Sequence, residues 1–448
     1  MLLFDEVKDC EKKFLELLTS SLFYLKKKNL HGSIELNKMY GFFVSSRYKN
    51  IDKIESYNNV TCLVTIYNHG RKASVLFNNV KISNIYKAID KAINISKYTD
   101  RDIYSTLPKR NLLFNNKKTL NLFFPWSYNF NTIVNLLNVV ENSALEFDSK
   151  ITNTEGATFD SSITLKYLGN TYDWLGFYRS TYNYLSHCAV ASNKTSMERD
   201  FVHSIARDFY DLKSPEFIGR ESARKSILKL NAKKIKTQRI PVIFASDIAA
   251  GLFKYLISAL NGHAIYKKTT FLLDYFKKKI FPEWLNIFED PFLEKGLFSQ
   301  LFDHEGVATT QKKIINRGCI ETWLLDTYSG NQLKYDSTGH AGGTYNWLVN
   351  SSKPVIKYPF LFKEIYNGLL ITELFGNGVN IMTGDYSRGA CGFWIRQGKI
   401  DYAVSEITIS GNLIDIWRNI ITLSDDVKKD NRILCSSILV ENIQVSGK

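Results

Sequence analysis

The stretch "GLLITELFGNGVNIMTGDYSRGACGFWIRQGKIDYAVSEITISGNL", residues 368–413, most narrows the folds open to this chain. Runs of β-branched and aromatic residues are broken every few positions by glycine-centred turns, Gln397-Gly398 among them. That rhythm predicts short strands joined by tight turns, so the last part of the chain is expected to be a mainly antiparallel β unit. No repeat of solenoid period and no low-complexity tract accompanies it.

The rest of the chain has a different rhythm. With 448 residues, the chain is too long for one ordinary core, and two or three domains are expected. Phe14, Leu17, Leu18 and Leu22 follow helical spacing, as do Ile82, Ile85, Ile89 and Ile93. Between them "VTCLVTIYNHGRKASVLF" reads as two strands meeting at Asn68-His69-Gly70. A second unit opens on a helix, "FNTIVNLLNVVENSALEF", continues through β-rich sequence, and closes on two expected helices, Arg199 to Leu212 and Glu216 to Leu230. The aperiodic basic segment "KLNAKKIKTQRIP" marks a boundary before the strand-like "PVIFAS". The expected organisation is α+β: an α/β N-terminal unit (1–115), an α/β central unit (116–230), a basic linker (229–240) and a β-rich C-terminal domain (240–448).

Composition excludes several classes. An apolar fraction of 44% with 14% aromatics is that of a globular protein. No apolar run reaches the roughly 20 residues of a membrane span, and the amphipathic start "MLLFDEVKDCEKKFLELL" does not read as a signal peptide. A cytoplasmic protein is expected. Its six cysteines are far apart, which predicts reduced thiols. The net charge of +14 would suit a nucleic-acid partner, but the lysines are scattered among Asn, Ile and Tyr, residues of A/T-rich codons. A basic nucleic-acid-binding regulator thus rests on charge alone. Lys26 to Lys28 and Lys277 to Lys279 each follow an apolar helical pattern, where a helix C-terminus favours cations.

Candidate chemistry gathers in the C-terminal unit. Ser246-Asp247 opens a helix whose apolar stripe runs to Leu260; Asn261-Gly262 reads as its stop, placing His263 just past a helix C-terminus. A zinc hydrolase needs three protein ligands, an open position for water and a carboxylate base. Laid on a H-E-x-x-x-H template ending at His263, the sequence is "SALNGH", with Ser258 and Ala259 where the first ligand and the base would stand. His304-Glu305 begins "HEGVAT" and lacks a second histidine at either usual spacing. A metal gathered from His263, His304 and His340 remains an alternative, as does a tight turn for His340 in "STGHAGG". "TGDYSRGACG" reads as a glycine-rich loop without nucleophile-elbow or phosphate-cradle spacing; Gly384, Asp385, Tyr386, Ser387 and Arg388 are candidate interface or substrate-contact residues, together with His340.

"FDHEGVATTQKKIINRGCIETWLLDTYSGNQLKYDSTGHAGG", the stretch quoted first and "NRILCSSILVENIQVSGK" strongly resemble the bacterial TldD/TldE (PmbA) peptidase family, on its TldE side. "SMERDF" and "YKKTTFLLD" fit the same assignment, and the resemblance covers essentially the whole chain. It implies a cytosolic zinc-dependent protease built from two homologous subunits around an enclosed chamber, cutting unfolded proteins and small peptides, leader peptides and labile antitoxins among them. In the TldD-type subunit a H-E-x-x-x-H segment and a later cysteine hold the metal. The matching cysteine here is Cys435, and "SALNGH" resembles the TldE-type replacement of the zinc segment. The resemblance therefore implies no catalytic residue in this chain, zinc in a TldD-type partner, and only His263 and Cys435 as residual metal candidates. Exposed strand edges of the β unit suit pairing with extended peptides. The competing expectation is a stand-alone metallohydrolase using His263, His340 and Cys435.

Overall fold

The structure, a computed structural model, describes residues 4–115, 118–127 and 129–448. In the front half, α1 (Phe4–Lys27), β1 (His31–Arg47), β2 (Asn50–Asn68), β3 (Arg71–Phe77) and α2 (Ile82–Ser96) are followed by α3 (Phe130–Leu145), β4 (Ile151–Asn170), β5 (Trp174–Ser192), β6 (Met197–Ala206) and α4 (Pro215–Leu228). The six strands form one sheet in the order β3-β2-β1-β4-β5-β6, antiparallel at every pairing. The sheet crosses the expected boundary between the first two units, because β1 pairs with β4 from Ser33–Asn170 to Ser46–Ala157. Residues 116 and 117, at that boundary, lie outside the described residues.

Two helix pairs pack side by side on one face of this sheet. Phe14, Leu18 and Leu22 of α1 and Ile85 and Ile89 of α2 are buried against Ile34, Leu36, Val64 and Ile66. Ile133, Leu137 and Val140 of α3 and Ile218 of α4 close over Val44, Phe159 and Leu185. The period-3.6 stripes thus meet the period-2 faces of the strands.

The expected helix from Arg199 to Leu212 is not there. Met197–Ala206 is the edge strand β6, paired with β5 from Asn183–Ala206 to Ser192–Met197. Val202, Ser204 and Ala206 are buried at alternate positions, a strand period that the neighbouring β5 enforces over local preference. The Asp208 side chain accepts from Tyr210 N, and only one 3₁₀ turn, Phe209–Asp211, follows.

The C-terminal half contains β7 (Gln238–Phe244), α5 (Ser246–Ala259), α6 (Gly262–Tyr266), β8 (Leu285–Asp290), β9 (Lys312–Asn316), β10 (Cys319–Ile320), α7 (Thr327–Leu333) and β11 (Asn346–Ser351). There follow β12 (Asn367–Val379), β13 (Asp385–Arg396), β14 (Lys399–Asn412), β15 (Ile420–Leu423), β16 (Ile433–Leu434) and β17 (Ile438–Ser446). One sheet has the order β10-β9-β8-β11-β16, the other β14-β13-β12-β7-β17-β15. A further β14–β17 pairing bends the second sheet back on itself. Only β11–β16 and β7–β12 run parallel. The largest core lies here: Leu252, Phe253 and Leu256 of α5 pack with Trp347, Trp417, Ile287 and Val242.

A Cβ added at Gly392 would meet the Leu370 carbonyl oxygen at 1.9 Å. Glycine at this point of β13 is therefore a requirement of close strand approach. Lys277 to Lys279 do not end a helix: Leu273–Tyr275 is a single 3₁₀ turn, and Phe276 and Lys279 make β-bridges to Ile320 and Cys319. Lys277 is instead ion-paired with Glu321.

The two halves meet along the loops around residues 291–308 and 325–345. Phe114 N donates to Gly306 O (2.9 Å) and Ala308 N to Leu112 O (2.8 Å), while the Trp174 indole holds Phe114 O from within the front half (2.7 Å). Tyr328 Oη donates to Asp102 (2.7 Å), and Lys295 bridges Asp208 and Asp211.

Candidate functional site

Helix α5 ends in the segment "SALNGH". Ala259 is fully buried, its carbonyl accepts from Thr270 Oγ1 (2.8 Å), and its methyl side chain can neither ligate nor act as a base. Asn261-Gly262 stops α5 but also starts α6: the Asn261 side chain caps it, accepting from His263 N (3.0 Å). His263 therefore stands in the first turn of a new helix, not beyond the end of the old one, and the C-terminal dipole argument does not apply to it. Its partner is a carboxylate. Nε2 lies 2.9 Å from Asp326 Oδ2, and the ring stacks on Tyr328 at 5.7 Å. Burial pushes the Asp326 carboxyl up, but hydrogen bonds from Ser329 and His263 outweigh it and hold it below the usual range.

Cys435 lies fully buried after β16, its Sγ–H donating to the Ser436 carbonyl (3.2 Å). Burial, reinforced by Asp426, pushes the thiol well above its ordinary pKa. The next residues tie this segment to α5: Ser437 donates to both Asp426 oxygens (2.8 and 2.7 Å) and its hydroxyl accepts from Ser246 N (3.0 Å).

His340 is also buried, with Nδ1 2.8 Å from Thr338 Oγ1 and Nε2 2.9 Å from Glu289 Oε2. Glu289 accepts two more hydrogen bonds, from Tyr345 N and the Trp347 indole (both 3.0 Å). Burial pushes the Glu289 carboxyl up, yet His340, Lys312 and the Tyr345 N–H overcome it and keep the group ionised. Since a carboxylate only accepts, Nε2 of His340 carries a proton. Beside this pair, Asp303 accepts from the backbone of Glu305 (2.8 Å), Val307 (2.9 Å) and Ala341 (3.0 Å). Burial, with Glu305 alongside, lifts its pKa to about 7. Asp303 and Glu289 are thus the carboxylates that hold the 337–345 loop in place.

His263, His340 and Cys435 are each engaged in separate surroundings. Among the described residues no group of three or more His, Cys, Asp and Glu side chains is placed to hold a metal ion.

The segment 384–388 is not a glycine-rich loop. Gly384 makes the turn with φ +81°, and Asp385 starts β13, paired with β12 on one side and β14 on the other. Tyr386 is buried, its hydroxyl without a hydrogen-bond partner among the described residues. Arg388 donates to Tyr255 Oη (2.6 Å) and Phe375 O (3.1 Å), tying β13 to α5 and β12. Asp385 accepts from Thr383 Oγ1 (2.6 Å), and Ser387 lies opposite Ser410 in the ladder.

Residues 124–230 match the PmbA/TldA metallopeptidase central domain and residues 237–447 the PmbA/TldA metallopeptidase C-terminal domain. Over 444 residues the chain is 42% identical to a metalloprotease PmbA homolog of Buchnera aphidicola from Acyrthosiphon pisum, covering 98% of this chain and 99% of that protein. The chain belongs to the PmbA/TldD metallopeptidase family. It is 39% identical to metalloprotease PmbA of Escherichia coli O157:H7, covering 98% of each. The crystal structure of TldE from Thermococcus kodakarensis shares the fold with a TM-score of 0.82 at 19% identity, over 97% of this chain and all of that one.

Proposed function

We propose that this chain is the subunit without metal in a zinc-dependent peptidase. A TldD-type homologue would supply the hydrolytic centre, and the pair would act in the cytoplasm on unfolded proteins and small peptides. The observation that carries this reading is the state of the zinc segment. Ser258 and buried Ala259 occupy the positions of ligand and base, and His263 is held by Asp326. Zinc requires about four convergent donors, three of them from protein in a catalytic site. The dispersed donors here do not fit such an ion. Among the described residues no helix is long and apolar enough to cross a membrane.

The test is peptidase activity on an unstructured peptide, with the purified chain alone, a TldD-type subunit alone, and the two mixed. Cleavage is expected only in samples holding the zinc-bearing subunit, strongest in the mixture. His263→Ala in this chain should leave the mixture's rate within about twofold, since an imidazole bound to neither metal nor substrate contributes little to the barrier. Cleavage by this chain alone would favour the stand-alone metallohydrolase.

A further inference from the structure

A recess between β8, β11 and β16 has no part in the reading above. Phe298, Gln300, Gly342, Gly343, Thr344 and Arg432 line it, and it offers about 40 Å³ of solvent-accessible space. One water needs roughly 10–15 Å³ of such space, so the recess has room for a few atoms and none for an aromatic ring.

Two of its polar side chains lack direct partners. Thr344 is 5% exposed and its hydroxyl makes no hydrogen bond among the described residues. The Arg432 guanidinium stacks on Phe298 at 4.3 Å, and no salt bridge or side-chain hydrogen bond engages it among the described residues. Gly342 and Gly343 have φ of +96° and +128°, and a Cβ at Gly343 would stand 3.3 Å from Arg432 Nη1. Gly343 thus keeps the recess open beside the guanidinium, while Gly342, where a Cβ would meet the His304 ring at 2.7 Å, lets the turn pass close to that ring. Glu289, the nearby anion, acts on Arg432 through space but makes no ion pair with it, its oxygens being taken by His340, Tyr345 N and the Trp347 indole.

A half-buried guanidinium, a buried hydroxyl with no partner and a glycine turn make a recess for a small, planar, singly charged oxyanion. We propose that Arg432, Thr344 and the Gly342–Gly343 turn bind a carboxylate, which Arg432 grips with two parallel N–H donors. The carboxylate is carried either by a peptide C-terminus or by a small free acid. The proposal does not depend on where the zinc resides.

The experiment is calorimetric titration of the purified chain with N-acetyl-pentaalanine acid, its C-terminal amide, sodium acetate and inorganic phosphate. The acid is expected to bind about tenfold or more tighter than the amide, the scale of a charge-assisted pair. Arg432→Gln should erase that preference. Arg432→Lys should keep only part of it, because an ammonium lacks the planar fork. Thr344→Val, of nearly the same shape, should weaken acid binding severalfold. Acetate as tight as the peptide acid would support the site and assign it to free acids. Equal binding of acid and amide, tighter binding of phosphate, or an unchanged preference in an Arg432→Gln chain that melts like the parent would overturn it.

Discussion

Replacing Glu289 by alanine is expected to destabilise the fold by about 3–5 kcal/mol, because it leaves several buried donors unpaired at about 1–3 kcal/mol each. Glu289 is completely buried in β8, and its two oxygens serve His340 Nε2, Tyr345 N and the Trp347 indole. Truncation leaves three buried donors without an acceptor. Each loss carries the desolvation penalty of an unmade bond. Urea unfolding monitored by tryptophan fluorescence measures the effect. The double substitution with His340→Ala should cost clearly less than the sum of the singles, because both remove the same interaction. A loss below about 1 kcal/mol for Glu289→Ala, the size of an exposed pair, would refute this account of the network.

Acidification should weaken the front half through His187, by up to about 3 kcal/mol between pH 6.5 and 4. The ring is buried between β4 and α4, with Nε2 2.8 Å from Thr154 Oγ1 and Nδ1 2.7 Å from Ser222 Oγ. Both partners are hydroxyls, and burial lowers the imidazole pKa from 6.5 to about 4. The folded chain therefore binds fewer protons than the unfolded chain in that window. The stability from neutral His187 is present above pH 6.5 and lost as pH falls toward 4. Asp303 acts in the opposite sense: with its pKa raised to about 7, it favours the folded state most below pH 3.8 and loses that contribution as pH rises through 7. The two must be separated by substitution. His187→Gln, compared with the parent at pH 7.5 and 4.5, should lose less stability on acidification. An equal drop in both chains would show that His187 is not the group responsible.

Long, strongly periodic segments were legible from the residues alone. The stripes of α1, α2 and α3 and the hairpin at Asn68-His69-Gly70 depend on near neighbours, and the structure places them as the spacing predicts. Misreadings fall where a local signal has two meanings. Asn261 ends one helix in sequence terms, yet an asparagine is equally a helix N-cap, and the structure uses it as one. Glycines at 389 and 392 suggested a loop, whereas they permit close packing of β13 against β12. Arg199–Leu212 offered apolar spacing compatible with a helix, and pairing with β5 decided otherwise.

Features built from distant residues left no local trace. Glu289 and His340 are 51 positions apart, and nothing near either one announces the pair. Arg432 and Thr344 likewise meet only once β11 and β16 run side by side. The expectation of a degenerate zinc segment rests on the opposite kind of signal. Metal ligation at helical spacing requires particular residue types at fixed positions, so their replacement by Ser258 and Ala259 is visible in the bare sequence.

The most direct test of the central claim is the zinc content of the isolated chain. The purified protein would be equilibrated with one equivalent of zinc, passed through a desalting column and analysed by elemental mass spectrometry, with a TldD-type subunit treated in parallel. The account predicts close to one zinc per chain in the TldD-type subunit and far less than one in this chain, unchanged by His263→Ala or Cys435→Ser. One tightly held zinc per chain here, lost in either variant, would contradict it and make this chain a metal-bearing hydrolase in its own right.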